Sequence, residues 1–302
     1  MKSILLIVNP VSGKRISKKL LPNTILELKN NNFELKIVES EYKGHIEKIL
    51  NTYSIENYDF CCIMGGDGSF HEAINGLIKR EDKLKIPLSL IPAGSGNSLA
   101  RDLNILNFKN AIKNITEGKK INIDIAEINC NNNKIYSFNI TGWGMVASIG
   151  IKAEKYRWLG SSRYTILSLF EIIFKKTNSA KIIYYDKNNK KYELEDEFIF
   201  VVVCNTIHTG KGMKIAPKAK LNDGLMDLVL IKNVPRIKLL RLMPKIFTGE
   251  HINDNAVKYI HVSKIKLKPN KISQLNIDGE IKGFTPFELS VLSNKIEIIT
   301  SL

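Results

Sequence analysis

The sequence predicts two domains of different class: an α/β domain with a parallel sheet over residues 1–121, and a mainly antiparallel β domain over residues 122–302. Three observations carry this. Strand and helix patterns alternate up to about Lys120, as in a parallel sheet covered by helices. After that, short runs rich in β-branched and aromatic residues follow one another between turn residues. The 44% hydrophobic and 25% charged residues are the balance of a globular chain, which excludes a mainly disordered or fibrous one.

In order along the chain, Ile4–Val8 is a continuous apolar run, expected of a strand buried on both faces. Lys14–Lys29 is an amphipathic helix pattern with Ile16, Leu20, Ile25 and Leu28 near one side. Strands are expected at Phe33–Val38, Phe60–Met64 and Leu88–Ile91, and helices at Ile46–Tyr53, Phe70–Leu77 and from Ser98 to Leu103. In the second domain the strand runs are Ile121–Ile128, Ile135–Ile140, Lys181–Tyr185, Phe198–Cys204, Leu225–Ile231, Lys258–Leu267, Ile272–Ile277, Phe287–Leu292 and Lys295–Thr300. A helical stretch is expected from Ile149 to about Lys176.

The net charge is +15, with 45 Lys+Arg against 30 Asp+Glu, which draws the surface toward something anionic: nucleic acid, nucleotide phosphate or an acidic membrane. No recognised nucleic-acid module or aromatic–basic repeat is present, so nucleic acid is not expected. Cys61, Cys62, Cys130 and Cys204 contain no C-x-x-C pair, which argues against a zinc site or a disulfide framework and suits a reduced cytoplasmic setting. No run of about 18 apolar residues exists to span a bilayer.

Glycine-containing turns follow three of the expected strands: residues 9–13 (NPVSG), 65–69 (GGDGS) and 92–97 (PAGSGN). All fall at carboxyl ends of parallel strands, where open α/β sheets bind ligands and where glycine lets the backbone approach a phosphate. The common nucleotide motifs fail. Gly13-Lys14 is followed by Arg15 rather than Ser or Thr, and no third glycine completes a dinucleotide fingerprint. His71-Glu72 begins like a zinc-protease helix, but Asn75 stands where the second histidine would be. What remains is an acid, Asp67, inside a glycine loop. Beside phosphates it needs a metal ion or a proton-acceptor role, and both suggest phosphoryl transfer.

At residues 65–77, GGDGSFHEAINGL resembles the signature of the soluble lipid kinase superfamily, the diacylglycerol and sphingosine kinases and their bacterial YegS/BmrU-like relatives. NPVSGKR (9–15), IPAGSGNSLARDL (91–103), GWGMVASIGIKAEKYRWLGSSRYT (142–165), IAPKAKLNDGLMDLVLI (215–231) and NIDGE (276–280) match further motifs of that family in order. The resemblance implies a nucleotide domain like that of phosphofructokinases and NAD kinases, and a lipid-holding β-sandwich whose last strands return toward the first domain. It implies transfer of the γ-phosphoryl group of ATP to a lipid hydroxyl of the diacylglycerol or sphingoid-base type, with Mg²⁺. By position, Asn9, Ser12, Gly13, Ser40, Gly66, Asp67, Gly68, Ser69, Glu72, Ser95, Asn97, Arg157 and Arg163 would bind nucleotide. Asp67, Asp278 and Glu280 would be the catalytic acids, with Asp67 favoured as proton acceptor. Asp223, with the backbone carbonyls of Lys220 and Leu225, would hold a structural Mg²⁺; residues 222–224 also read as a plain hairpin turn. Two departures stand out. Ser98 replaces an aspartate usual in the bacterial diacylglycerol kinases, and Ser148 replaces an aspartate of sphingosine kinases.

Residues 236–247 (RIKLLRLMPKIF) form a basic amphipathic pattern that suits either a helix packed on the sandwich or one lying on an anionic bilayer, with Pro244 bending or ending it. Residues 164–174 (YTILSLFEIIF) are apolar on nearly all faces and suit core or the wall of an acyl pocket. The expected partner is a lipid substrate at an anionic membrane surface, reached by a peripheral cytoplasmic protein, and a homodimer stays open. NAD kinase, and a catalytically silent nucleotide- or lipid-binding protein, are the competing readings.

Overall fold

The computed structural model describes residues 1–156 and 163–301. The chain divides into two compact units: Met1–Ile123 with Asn294–Leu302, and Asp124–Ser293. Two long strands run from one unit into the other, β5 (Lys119–Cys130) on the way out and β15 (Phe287–Thr300) on the way back.

In the first unit, β1 (Lys2–Val8) lies between β2 (Phe33–Glu39) and β3 (Phe60–Gly65), parallel to both. β4 (Leu88–Pro92) pairs parallel with β3, and β15 adds a further parallel strand through Ile298 opposite Leu88. Every second residue of a strand points to the same face. Ile4, Leu6 and Val8 accordingly share a core with Leu28 of α1 (Ser12–Asn30) and with Ile112 and Ile115 of α5 (Phe108–Glu117). Leu5 and Ile7, on the other face, are equally buried, so the unbroken apolar run of β1 is a strand covered on both sides. α2 (His45–Thr52), α3 (Asp67–Ile78) and the short α4 (Ser98–Asp102) complete the unit. α5 was not expected, although its signal is in the chain: Asn107 accepts the Asn110 N–H at 2.7 Å as an N-terminal cap.

The second unit is antiparallel. β9 (Lys191–Cys204) pairs with β8 (Asn178–Tyr185) along its first half, and with β7 (Ile140–Gly144) and β10 (Met226–Lys232) along its second. β13 (Gln274–Ile277) joins β7 to β14 (Glu280–Phe284). β11 (Val257–Val262) pairs with β10, and β12 (Lys264–Pro269) joins β8 to β15. Val201 and Val203 face one core with Trp143 and Leu228. Phe200, Val202 and Cys204 face another, covered by Ile172 of α7 (Arg163–Ile173) and by Leu239 and Leu242 of α8 (Arg236–Thr248).

Several expected strands differ in extent. The run 258–267 is two strands broken at Ser263, because β11 and β12 serve different neighbours. The run 135–140 divides between β6 (Asn133–Ser137) and β7. Residues 287–300 form one strand across Asn294, which adopts a left-handed φ of 52°. The expected long helix after Ile149 is α6 (Met145–Lys155) and α7, with residues 157–162 outside the described part. Pro244 does not end α8, which continues to Thr248. Among the described residues, no helix is long and apolar enough to cross a membrane.

Candidate active site

The three glycine loops leave the same edge of the parallel sheet, because β1, β3 and β4 all run the same way. They pack backbone on backbone. A Cβ on Gly66 would lie 2.8 Å from the Cα of Gly94, closer than real side chains come, so neither position admits one. Gly13 has φ 57°, and a Cβ there would strike the carbonyl oxygen of Ala93. Lys14 and Arg15 prolong this left-handed stretch at φ 58° and 71°, a strained arrangement for residues with side chains.

Polar side chains lock the loops together. Asn9 donates through Nδ2 to Ser69 Oγ at 3.0 Å and accepts the Val11 N–H at 3.2 Å. Ser12 Oγ donates to the carbonyl oxygen of Ala93 at 3.2 Å. Asn97 clasps Gly94 from both sides, accepting its N–H at 3.0 Å and donating to its carbonyl at 2.9 Å. Asp67 ties the second loop to the third: its Oδ1 accepts the Ser98 N–H at 2.7 Å, and its Oδ2 accepts the Ser98 hydroxyl at 3.2 Å. Asn9, Ser12, Gly13, Gly66, Asp67, Ser69 and Asn97 thus form one cluster. Gly68 lies in the first turn of α3, and Ser95 is exposed on the third loop. Ser40 follows β2, and its N–H donates to the carbonyl of Val8 at 2.8 Å.

Glu72 has another task than lining this cluster. It is buried, and its carboxylate accepts the N–H groups of Gly44 at 2.8 Å and Ile46 at 3.2 Å. α2 starts on Gly44 and lacks a capping side chain of its own, so Glu72 serves its N-terminus from α3. Arg157 and the side chain of Arg163 lie outside the described residues.

In the second unit, Asp278 is buried and sits at φ 51°. Its carboxylate accepts the Ser137 hydroxyl at 2.6 Å and the backbone N–H groups of Phe138, Asn139 and Ile140 at 3.2, 3.0 and 2.9 Å. A carboxylate held in this way fixes the β6–β7 turn. Glu280 pairs with Lys282 at 2.7 Å.

The 220–225 loop is anchored by an acid the sequence reading missed. Asp124 is fully buried, donates its N–H to the Leu221 carbonyl at 2.6 Å and accepts the Gly224 N–H at 2.7 Å. The signal was an aspartate in the middle of the apolar strand run INIDIAEI. Asp223 is exposed, with Oδ1 accepting the Leu225 N–H at 3.1 Å. Its carboxylate and the neighbouring carbonyls are hard oxygen donors of the kind Mg²⁺ takes. Among the described residues, no three His, Cys, Asp or Glu side chains gather as a metal cluster, so carbonyls and water would complete any such shell.

A cavity of about 120 Å³ opens between α6, α7, α8 and the sheet of this unit, with Ile172, Phe200, Leu242 and Met243 among its walls. Beside it, apolar side chains stay in solvent: Phe170, Ile173 and Phe174 on and just after α7, and Ile237, Leu240 and Phe247 on α8.

Comparison with known proteins agrees with this architecture. The family model of the diacylglycerol kinase catalytic domain matches residues 3–128. That of the YegS C-terminal NAD kinase beta sandwich-like domain matches residues 139–300, more than half of the chain. Sphingosine kinase 1 of Arabidopsis thaliana is 29% identical over 93% of this chain and 68% of its own length. A diacylglycerol kinase of Bacillus subtilis (strain 168) is 27% identical over 99% of this chain and 96% of its own length. The crystal structure of a proposed diacylglycerol kinase from Bacillus anthracis str. Sterne shares the fold with a TM-score of 0.80 at 26% identity, covering 99% of this chain and 97% of that one. These matches do not favour NAD kinase or a silent binding protein. With both family models in sequence along one chain and a glycine-loop cluster at the sheet edge, the protein belongs to the soluble lipid kinase superfamily of diacylglycerol and sphingosine kinases, ATP-using enzymes that phosphorylate lipids.

Proposed function

We propose that the three-loop cluster holds ATP with Mg²⁺, and that Asp67 accepts the proton of a primary lipid hydroxyl as its oxygen attacks the γ-phosphorus. The bond from that phosphorus to the β–γ bridging oxygen breaks, ADP leaves, and the proton stays on the Asp67 carboxylate until it passes to solvent. The observation that carries this reading is the two-point hold of Ser98 on Asp67, which fixes a half-buried carboxylate within loops too tight for side chains. Backbone N–H groups of the glycine loops suit phosphate oxygens, with Asn9, Ser12, Ser69, Ser95 and Asn97 as polar companions. Arg157 and Arg163 add positive charge to the phosphates. Bound Mg²⁺ neutralises charge on the phosphates. Asp223, with the carbonyls of Lys220 and Leu225, holds a structural ion of the same kind.

The acceptor lipid enters from an anionic membrane surface, with its chains in the apolar cavity of the second unit. The exposed apolar residues of α7 and α8, flanked by Arg236, Arg241 and Lys245, are the surface that meets the bilayer. The test is transfer from labelled ATP to mixed micelles of diacylglycerol, monoacylglycerol, ceramide or sphingosine. Label should appear in at least one lipid and should require Mg²⁺. Labelled product with none of them would overturn the reading.

A further inference from the structure

The apolar cavity of the second unit carries a positive charge in its wall that phosphoryl transfer does not use. Lys211 lines it, beside Ile172, Met213 and Leu242. A built turn presents this lysine. Thr209 and Met213 exchange backbone hydrogen bonds, the Thr209 N–H donating at 2.8 Å and the Met213 N–H at 3.2 Å. Between them Gly210 and Gly212 hold left-handed φ values of 56° and 88°, which lets the chain reverse around Lys211. The side chain of Lys211 is exposed, and among the described residues no carboxylate pairs with it. Along an apolar wall a lysine lays down its methylene stem and keeps its ammonium at the water. The charge therefore belongs at the mouth of the cavity. Among the described walls no acid offsets it, and Ser168 adds a hydroxyl.

Size narrows the ligand further. At about 120 Å³ the cavity is close to the ~150 Å³ at which an apolar protein cavity holds one benzene ring. It takes one hydrocarbon chain at a time. Met145, Met213 and Met243 stand in its walls, and their unbranched side chains repack around chains of differing shape. An apolar slot for one chain, with a lone positive charge at its mouth, matches a single-chain amphiphile with a singly charged anionic head. A phosphate head would set two negative charges against one lysine. A cationic head would meet like charge, and an uncharged one would gain nothing from the ammonium. We propose that the cavity binds a long-chain fatty acid, its chain among the methionines and its carboxylate on the Nζ of Lys211. Resting on the lipid-kinase reading above, this ligand competes with the acceptor lipid.

The test is equilibrium binding to the full chain, below micelle-forming concentrations and at about pH 7.5, where carboxylate and amine heads are both ionised. The probes are dodecanoate, dodecanol, dodecylammonium and dodecyl phosphate. A carboxylate adds an attraction between opposite charges that an alcohol lacks. Dodecanoate should therefore bind one molecule per chain, about fivefold tighter than dodecanol, about tenfold tighter than dodecylammonium, and more tightly than dodecyl phosphate. Lys211→Met keeps the stem and removes the charge on an exposed turn, so the variant should stay folded and bind dodecanoate within about twofold of dodecanol. Met243→Trp fills the slot and should weaken both by at least about tenfold. In the transfer assay, dodecanoate should raise the KM for the lipid acceptor and leave kcat unchanged. Dodecanol or dodecyl phosphate binding as tightly as dodecanoate, or a preference that persists in Lys211→Met, would overturn the site. Dodecanoate bound as expected with no effect on that KM would overturn the competition. Binding as expected with no transfer to any lipid would uphold the site and sink the kinase reading, and transfer without dodecanoate binding would do the reverse.

Discussion

At the scale of single residues, two acids of the same helix divide the labour. Asp67 and Glu72 are five positions apart on α3, yet one carboxylate is held by Ser98 at the loop cluster and the other caps α2. Sequence motif alone grouped both as nucleotide ligands, because a capping partner 28 residues away leaves no local signature. The substitution Glu72→Gln separates the roles. It keeps the shape but loses the charge-assisted hydrogen bonds, so thermal unfolding should report a loss of about 1–2 kcal/mol. The KM for ATP should change less than about twofold. An unchanged Tm with a tenfold rise in KM would return Glu72 to the nucleotide site. Asp278 gives the same lesson: NIDGE was legible as a family motif, but that its acid is held by the 137–140 turn could only be read from the fold.

At the scale of elements, periodicity was legible wherever an element packs with one face or two against a core. The continuous apolar run Ile4–Val8 predicted a strand buried on both sides, and all five residues are buried; β3 proves equally buried. Strand ends were less legible, since the break between β11 and β12 depends on which neighbours each strand finds. α5 was overlooked because it is a short, mostly polar segment whose apolar residues, Phe108, Ala111, Ile112 and Ile115, make one narrow stripe. The cysteines of β3 test the buried-strand reading. Cys61 and Cys62 are fully buried, and burial pushes both thiols well above their ordinary pKa, which keeps them as unreactive thiols. A thiol reagent should leave both untouched in the native protein and modify them at the rate of unfolding; fast labelling under native conditions would mean that the sheet opens locally.

At the scale of the whole molecule, the surplus of positive charge and the exposed apolar residues take on meaning together. The +15 net charge alone admitted nucleic acid, nucleotide or membrane. Under the proposed function, the apolar side chains of α7 and α8 left in solvent and the basic surplus would both serve contact with an anionic bilayer. Each basic group near such a surface contributes about 1 kcal/mol. Binding to vesicles with acidic lipid should weaken as salt rises and fall further in Phe174→Ser or Ile237→Ser; indifference to salt, lipid charge and both substitutions would leave the charge without that role. The central claim rests on the Asp67 carboxylate, and the most direct measurement is single-turnover phosphoryl transfer by Asp67→Asn with the best lipid acceptor. The account predicts a rate lower by about 10²–10⁴-fold, with folding and ATP binding retained. A transfer rate within about threefold of the unaltered enzyme would contradict it.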